Sequence, residues 1–359
     1  MIELDAVTKR YGDKTSVDRL SLTIPDNAVT ILLGPSGCGK TTTLKMINRL
    51  IEPTDGDIRI DGRSVRSMDS IDLRRSIGYV IQEVGLFPHF TVEGNIGVVP
   101  SLLDWDRARI RRRVGELLEL VNLDPSVYLR RYPRELSGGE RQRVGVARAL
   151  AADPRVLLMD EPFGAIDPIN RRSLQDFFLR LQSDLKRTVV FVTHDIGEAV
   201  KLGDHVAVMR DGRLVQMDTT RVLLENPADA FVEELLGATR STEQLLLYRA
   251  AHYVDTAFTV MTTEEMHRSG VDSEAPLIIL KDGDAISGYV EKGLLVTCED
   301  PREAVCRLET VSGNATLLEA VTTLLESGRN RAVVQSPDGT ILGTLSVPMV
   351  AEIMAKVAR

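Results

Sequence analysis

The chain has 359 residues, of which 43% are apolar and 27% charged, with a net charge of −8. That mixture supports a buried core spread over two or three domains, while aromatic residues at 4% exclude an aromatic-rich platform for single-stranded nucleic acid. Most of the charge lies after residue 240, where 10 basic and 17 acidic side chains leave −7, so no nucleic-acid partner is expected.

No apolar run approaches the ~18 residues of a membrane span, and the start, MIELDAVTKRYG, carries no secretory h-region. Three cysteines, Cys38, Cys298 and Cys306, make no disulfide framework and match a reducing compartment.

MIELDAVTKRYG, TSVDRLSLTI and GDIRIDG (56–62) alternate and carry turn signals, predicting a small antiparallel sheet. Tyr11, in a turn before the first hairpin, either stacks on a base or packs at the sheet edge. VTILLG (29–34) reads as a buried strand and KTTTLKMINRLI (40–51) as a helix. Between them, GPSGCGKTT matches G-x-x-x-x-G-K-[ST] as Gly34, Gly39, Lys40 and Thr41 in a strand–loop–helix setting. The whole run of Gly34, Pro35, Ser36, Gly37, Cys38, Gly39, Lys40, Thr41 and Thr42 is expected to wrap a nucleotide's phosphate chain, with backbone N–H groups and a helix N-terminus aimed at it. Lys40 reaches the terminal phosphates and the Thr41 hydroxyl ligates Mg²⁺. Cys38 is an ordinary small loop residue, or a thiol made reactive by its electropositive setting.

Gln82, in GYVIQEVGLFP, follows a further strand, and its amide suits a Mg²⁺ ligand that senses the γ-phosphate. DWDRARIRRRVGELLELVNL predicts a helix with an Arg-rich face and Val114, Leu117, Leu118 and Val121 opposite. That face is read as solvated, with nucleic-acid binding the lesser alternative. RVLLMDEP (155–162) ends a buried strand in two carboxylates. Asp160 suits Mg²⁺ and Glu161 suits polarisation of an attacking water. RRSLQDFFLRLQSDLK has helical spacing, with Leu174, Phe177, Phe178 and Leu181 on one face. TVVFVTH (188–194) is another buried strand. Its His194 should emerge at the same sheet edge as Lys40 and Asp160, to contact the γ-phosphate or orient Glu161. Continuous apolar strands alternating with amphipathic helices predict a parallel sheet covered on both faces.

A boundary falls near GATRSTE (237–243). Beyond it, APLIILKDGDAISGYV (275–290) and RAVVQSPDGTILGTLS (331–346) each read as strand, Asp-Gly turn and Gly-containing strand, with Gly288 and Gly343 in matching places. They form a weak internal repeat at a spacing of about 55 residues. A helix, TLLEAVTTLLESG (316–328), precedes the second copy.

In this order the motifs resemble the ATP-binding cassette of ABC transporters over about residues 1–236. Tyr11 stands at the A-loop, 34–42 at Walker A, Gln82 at the Q-loop, LSGGE (136–140) at the signature, 156–161 at Walker B, GAID (164–167) at the D-loop and His194 at the H-loop. Glu140 replaces the usual glutamine of the signature, and Ile166 the usual leucine of the D-loop. The resemblance implies an α/β P-loop NTPase ABC cassette: a parallel sheet core, an antiparallel β subdomain and a helical subdomain. It implies ATP and Mg²⁺ as cofactors, with Lys40, Glu161 and His194 catalytic and Thr41, Gln82 and Asp160 around the metal. Cassettes of this family pair head to tail, so Ser137, Gly138, Gly139 and Glu140 would hold the ATP of the partner chain, and Asp167 would serve communication across the dimer. The two glycines, poor choices for opening a helix, then make sense as a second phosphate site.

The family also implies separate permease subunits, an extracytoplasmic solute-binding protein acting indirectly, and a peripheral place on the cytoplasmic face of the cell membrane. Leu86, Phe87 and Phe90 lie where such cassettes grip the permease; each fits either a docking patch or packing on the helical subdomain. Stretches such as TTTLKMINRLIEPTDGDIRIDG and NPADAFVEELLG look like importers of quaternary-ammonium osmoprotectants, for example glycine betaine, carnitine and choline. The alternatives are an importer of amino acids or another polar solute, and a soluble cassette ATPase acting on nucleic acid or ribosomes. A non-hydrolysing switch is disfavoured by the presence of Glu161 and His194. Many such importer ATPases carry tandem cystathionine-β-synthase (CBS) domains, giving an expected plan of cassette 1–236, linker 237–250, a degenerate CBS-like repeat 251–310 without its long helix, and a CBS-like α+β repeat 311–359.

Overall fold

The computed structural model describes residues 1–82, 85–164, 166–237, 240–269, 275–283, 285–292 and 305–357. Cys298 lies outside the described residues. Two compact units divide the chain, Met1–Leu236 and Gly237–Arg359.

Among the described residues of the first unit ten strands follow in chain order: β1 (Ile2–Tyr11), β2 (Lys14–Ile24), β3 (Val29–Leu33), β4 (Asp55–Ile60), β5 (Arg63–Ser64), β6 (Ile77–Val80), β7 (Val156–Asp160), β8 (Thr188–Thr193), β9 (His205–Arg210) and β10 (Arg213–Thr219). They form an antiparallel sheet, β2-β1-β4-β5, and a six-stranded sheet, β10-β9-β3-β8-β7-β6. In the larger sheet β9, β3, β8, β7 and β6 run parallel and β10 closes one edge antiparallel. Strands β3, β7 and β8 are buried at every position, which is why they read as unbroken apolar runs rather than alternating ones. One core joins both sheets: Leu4, Val7 and Ile58 from the small sheet meet Leu32, Leu158 and Val190 from the large one, with Leu44 and Ile47 between them.

Parallel strands in this order put the chain segments after β3, β8, β7 and β6 side by side at one sheet edge. That edge receives residues 34–42, 194, 160–161 and 82.

The first helix is shorter than its pattern predicts, Lys40–Ile47. Arg49 adopts a left-handed conformation (φ +52°) and Leu50 N–H turns back to Lys45 O at 2.9 Å, a helix-ending turn that usually selects glycine. Here the Arg49 guanidinium is held by Val65 O at 3.0 Å and Met68 O at 2.7 Å, which supports the strained backbone. In the Arg-rich helix Arg107–Leu120, Val114, Leu117 and Leu118 are buried while Arg109, Arg111 and Arg112 are exposed. Helix Pro168–Leu185 buries Leu174, Phe177, Phe178 and Leu181.

The second unit repeats one topology. Strand β11 (Phe258–Thr262) runs parallel to β12 (Leu277–Asp282), which pairs antiparallel with β13 (Ala285–Glu291). Strand β14 (Glu309–Ser312) is likewise parallel to β15 (Arg331–Gln335), and β15 antiparallel to β16 (Ile341–Ser346). A Cβ at Gly288 would meet Cys306 O at 2.8 Å, and one at Gly343 would meet Val254 Cβ at 2.6 Å. The residue after each glycine makes an antiparallel bridge to the other half, Tyr289 to Cys306 and Thr344 to Asp255. The glycines therefore let the segment leading into each half lie across the hairpin of the other.

Helix Leu317–Ser327 separates the first two strands of the second half; among the described residues, helix Thr263–Ser269 takes that place in the first. Residues 240–247, expected within a linker, form a helix. Leu245 is buried with Leu317 and Leu324, and this apolar face is what a reading based on the polar GATRSTE overlooks. The first strand of the second half, β14, begins at Glu309.

Candidate nucleotide-binding site

The loop after β3 turns at Gly39, whose φ is +105° and whose absent Cβ would sit 2.6 Å from Ser16 O. Only glycine fits there. Gly39 caps helix Lys40–Ile47 without a side chain, so no side chain competes for the first-turn N–H groups. Lys40 is buried, its Nζ donating to Gly34 O at 2.6 Å and Pro35 O at 3.0 Å. Pro35, Ser36 and Gly37 are exposed. Thr42 instead points to β2, its hydroxyl 3.2 Å from that of Ser16.

Thr41 and Asp160 meet across 119 residues of sequence, Thr41 Oγ1 donating to Asp160 Oδ1 at 2.8 Å. Asp160 is buried, and that burial raises its pKa above the usual carboxylate value, with Glu161 adding to the effect. The Thr41 hydroxyl and the ammonium groups of Lys45 and Lys40 pull the other way.

Glu161 breaks sharply from the strand. Its φ is +43°, its N–H donates to Val192 O at 3.0 Å, and its Oε2 faces two neighbours. Gln82 Nε2 donates to that oxygen at 3.5 Å, and His194 Nδ1 lies 3.3 Å from it. A non-glycine residue held in the left-handed region stores strain of about 1–3 kcal/mol. The four strand ends thus assemble Lys40, Thr41, Gln82, Asp160, Glu161 and His194 at one sheet edge.

Ser137, Gly138, Gly139 and Glu140 are built differently. Ser137 caps helix Gly138–Leu150: its Oγ accepts from Glu140 N at 3.3 Å, and Glu140 Oε2 accepts from Ser137 N at 2.7 Å. This capping box satisfies two helix-end donors. Glu140 Oε1 also accepts from the Tyr128 hydroxyl, which holds its carboxyl below the usual range. A Cβ on Gly138 would meet nothing within 4 Å, and one on Gly139 only Leu174 Cδ1 at 3.9 Å. Packing within the chain therefore gives no reason for two glycines that weaken a helix by about 1 kcal/mol each. None of the hydrogen bonds of Ser137 or Glu140 reaches Lys40, Asp160 or Glu161.

Residues 17–164 match the ABC transporter family. The osmoprotectant import ATP-binding protein OsmV of Salmonella typhimurium is 44% identical over 369 residues, covering 99% of this chain and 96% of that protein. The chain belongs to the ABC transporter ATP-binding proteins. The glycine betaine/carnitine/choline transport ATP-binding protein OpuCA of Bacillus subtilis is 41% identical over the same shares. Among solved structures, the dimeric bacterial ABC transporter cassette MJ0796 superposes with a TM-score of 0.56 at 33% identity, over 62% of this chain and 99% of that one.

Three further candidates in the cassette have distinct surroundings. Tyr11 is the last residue of β1 rather than part of a turn, and it is half exposed with Lys9 Nζ 5.0 Å from its ring centre. Its ring is therefore open to a ligand, not packed in the core. Cys38 is buried, and burial pushes its thiol up despite nearby Lys40, the direction opposite to that of an activated thiolate. Phe87 and Phe90 are exposed, their rings 5.3 Å apart, while Leu86 is half-buried.

Sequence patterns did not single out Asn95, which builds that loop from inside. Its side chain accepts from Phe87 N at 2.7 Å and donates to Phe87 O, Phe90 O and Thr91 O at 3.0–3.2 Å. Nor did they single out Arg171, Asp195 and Glu198 beside His194, although the spacing D-x-x-E after a strand is a legible helix-cap signal. Asp167 begins helix Pro168–Leu185, its carbonyl accepting from Arg171 N at 2.9 Å. Among the described residues no helix is long and apolar enough to cross a membrane.

Proposed function

We propose that the chain is the ATP-hydrolysing subunit of an importer for quaternary-ammonium osmoprotectants such as glycine betaine, carnitine and choline. The observation that carries this reading is full-length likeness: the identity to OsmV and OpuCA runs through both units. The second unit, with its twice-repeated topology, fits a CBS-like regulatory domain.

Within the cassette we assign roles from the geometry. The Gly34–Thr42 loop and the helix behind it bind the phosphates of ATP. Lys40 exchanges its loop carbonyls for phosphate oxygens, and the exposed Tyr11 ring receives the base. Thr41, Gln82 and Asp160 fit a hard cation: two of their oxygens already lie 2.8 Å apart, and Gln82 contacts Glu161 through nitrogen, leaving its oxygen. Among the described residues no group of three acidic, His or Cys side chains could hold a metal, so Mg²⁺ would share its ligands with the phosphates. When bound, Mg²⁺ neutralises charge on the phosphate oxygens. Glu161 takes the proton of the attacking water, and His194 holds Glu161 and the γ-phosphate in register. Strain at Glu161 keeps its carboxylate aimed away from the strand direction.

Among the described residues nothing crowds Gly138, and Gly139 is approached only by Leu174 Cδ1 at 3.9 Å, so the first turn of helix Gly138–Leu150 is accessible, which supports a phosphate bound from a second copy. Two chains then enclose two ATP molecules, with Asp167 near the shared boundary. The Phe87–Phe90 loop docks on permease subunits, placing the protein peripherally on the cytoplasmic face of the membrane, with a solute-binding protein acting beyond the permease.

Uptake of labelled glycine betaine into cells lacking the gene tests this reading. The parental gene should restore uptake at high osmolarity and the Glu161→Gln gene should not. Restoration of amino-acid uptake instead would favour the polar-solute alternative.

A further inference from the structure

His194 lies between two well-anchored residues. Its ring is 60% exposed, whereas Thr193 before it is buried and Asp195 after it caps helix Ile196–Leu202. Both neighbours of the histidine belong to one hydrogen-bonded cluster. Thr193 Oγ1 donates to Glu198 Oε2 at 2.7 Å and accepts from Asp195 N at 3.0 Å. Asp195 Oδ1 accepts from Glu198 N at 3.1 Å, and Gln175 Nε2 donates to Glu198 Oε1 at 3.4 Å. Glu198 is only 5% exposed, and a carboxylate that deep is costly unless its partners compensate.

Arg171 extends this cluster to a second segment. Its Nη1 lies 3.7 Å from Asp195 Oδ2, and its Nη2 donates to Ile166 O at 3.1 Å. Its Nε is buried without a partner. One guanidinium therefore spans the turn before helix Pro168–Leu185 and the turn that presents His194.

We propose that Arg171, Asp195 and Glu198 are positioning residues for His194, a strut that fixes the histidine against Glu161 and ties it to the Ile166–Asp167 turn. This rests on the reading of His194 given above. Through the strut, a shift of that turn, which carries Asp167 at its end, moves the histidine with it.

The test is steady-state ATP hydrolysis by the full-length chain carrying Glu198→Gln, Arg171→Leu or Arg171→Lys, each alone and combined with His194→Ala, with thermal unfolding and ATP binding measured in parallel. Glu198→Gln and Arg171→Leu should each lower kcat about tenfold with KM for ATP within about twofold. Arg171→Lys, whose ammonium can still reach Asp195, should recover part of the rate. In the His194→Ala background neither loss should recur, because the strut would have nothing left to position. Losses that multiply in that background, or a parental kcat in the strut variants, would overturn the proposal while leaving His194 in its role. A parental rate in His194→Ala alone would instead refute the role of the histidine.

Discussion

Glu161→Gln isolates one function of one atom. Glutamine keeps the side-chain shape, and the left-handed backbone at this position (φ +43°) strains both residues alike, so folding stability should change little. What disappears is the basicity of Oε2, the oxygen reached by Gln82 Nε2 at 3.5 Å and His194 Nδ1 at 3.3 Å. An amide oxygen cannot take a proton from water. A positioned general base contributes about 10²–10⁴ to a rate, or about 3–5 kcal/mol of barrier. Lys40, Thr41 and Asp160 are untouched, so ATP should still bind. Steady-state hydrolysis, fluorescent-nucleotide titration and light scattering would be run on the same full-length sample. The rate should fall at least about hundredfold, affinity should hold within about threefold, and an ATP-bound dimer should accumulate. Hydrolysis within about threefold of the parent would refute Glu161 as the base.

Ser137→Arg should abolish hydrolysis while leaving ATP binding to the single chain intact, checked by titration at low protein concentration; lost binding would contradict a site shared between copies. Asn95→Ala strips four hydrogen bonds from the Phe87–Thr91 loop and should cost about 2–4 kcal/mol, read by chemical denaturation, with faster proteolysis near Phe87. Asp160→Asn should raise the melting temperature at neutral pH while eliminating hydrolysis. Burial raises the folded-state pKa of Asp160, so the native chain binds that proton more tightly than the unfolded chain, and stability is lost as pH rises through the folded value. The advantage of asparagine should therefore narrow as the buffer is made more acidic.

The parts of the site that one short segment encodes are legible in the sequence alone. The phosphate loop needs only its own glycines and the strand and helix beside it, and the burial of β3, β7 and β8 follows from their apolar runs. Sheet order then explains why Lys40, Asp160, Glu161 and His194 converge. Other features depend on partners far away in sequence. Nothing local announces that Arg49 ends its helix in a left-handed turn, because that turn is supported by carbonyls of Val65 and Met68. Glu140 reads as an odd replacement within its motif, yet its carboxylate closes a capping box and accepts from Tyr128. Leu245 lies in a stretch that reads as linker because its apolar partners come some 70 residues later, in helix Leu317–Ser327. Asn95 is a polar residue in a helix, a pattern that in sequence alone is indistinguishable from a solvated face.

The most direct measurement is ATP hydrolysis by this chain reconstituted in liposomes with the permease and solute-binding proteins proposed for it, against a panel of betaines, choline, carnitine and amino acids. Quaternary ammonium compounds should stimulate the rate, and Glu161→Gln should abolish the stimulation. Stimulation by amino acids and not by betaines would contradict the account.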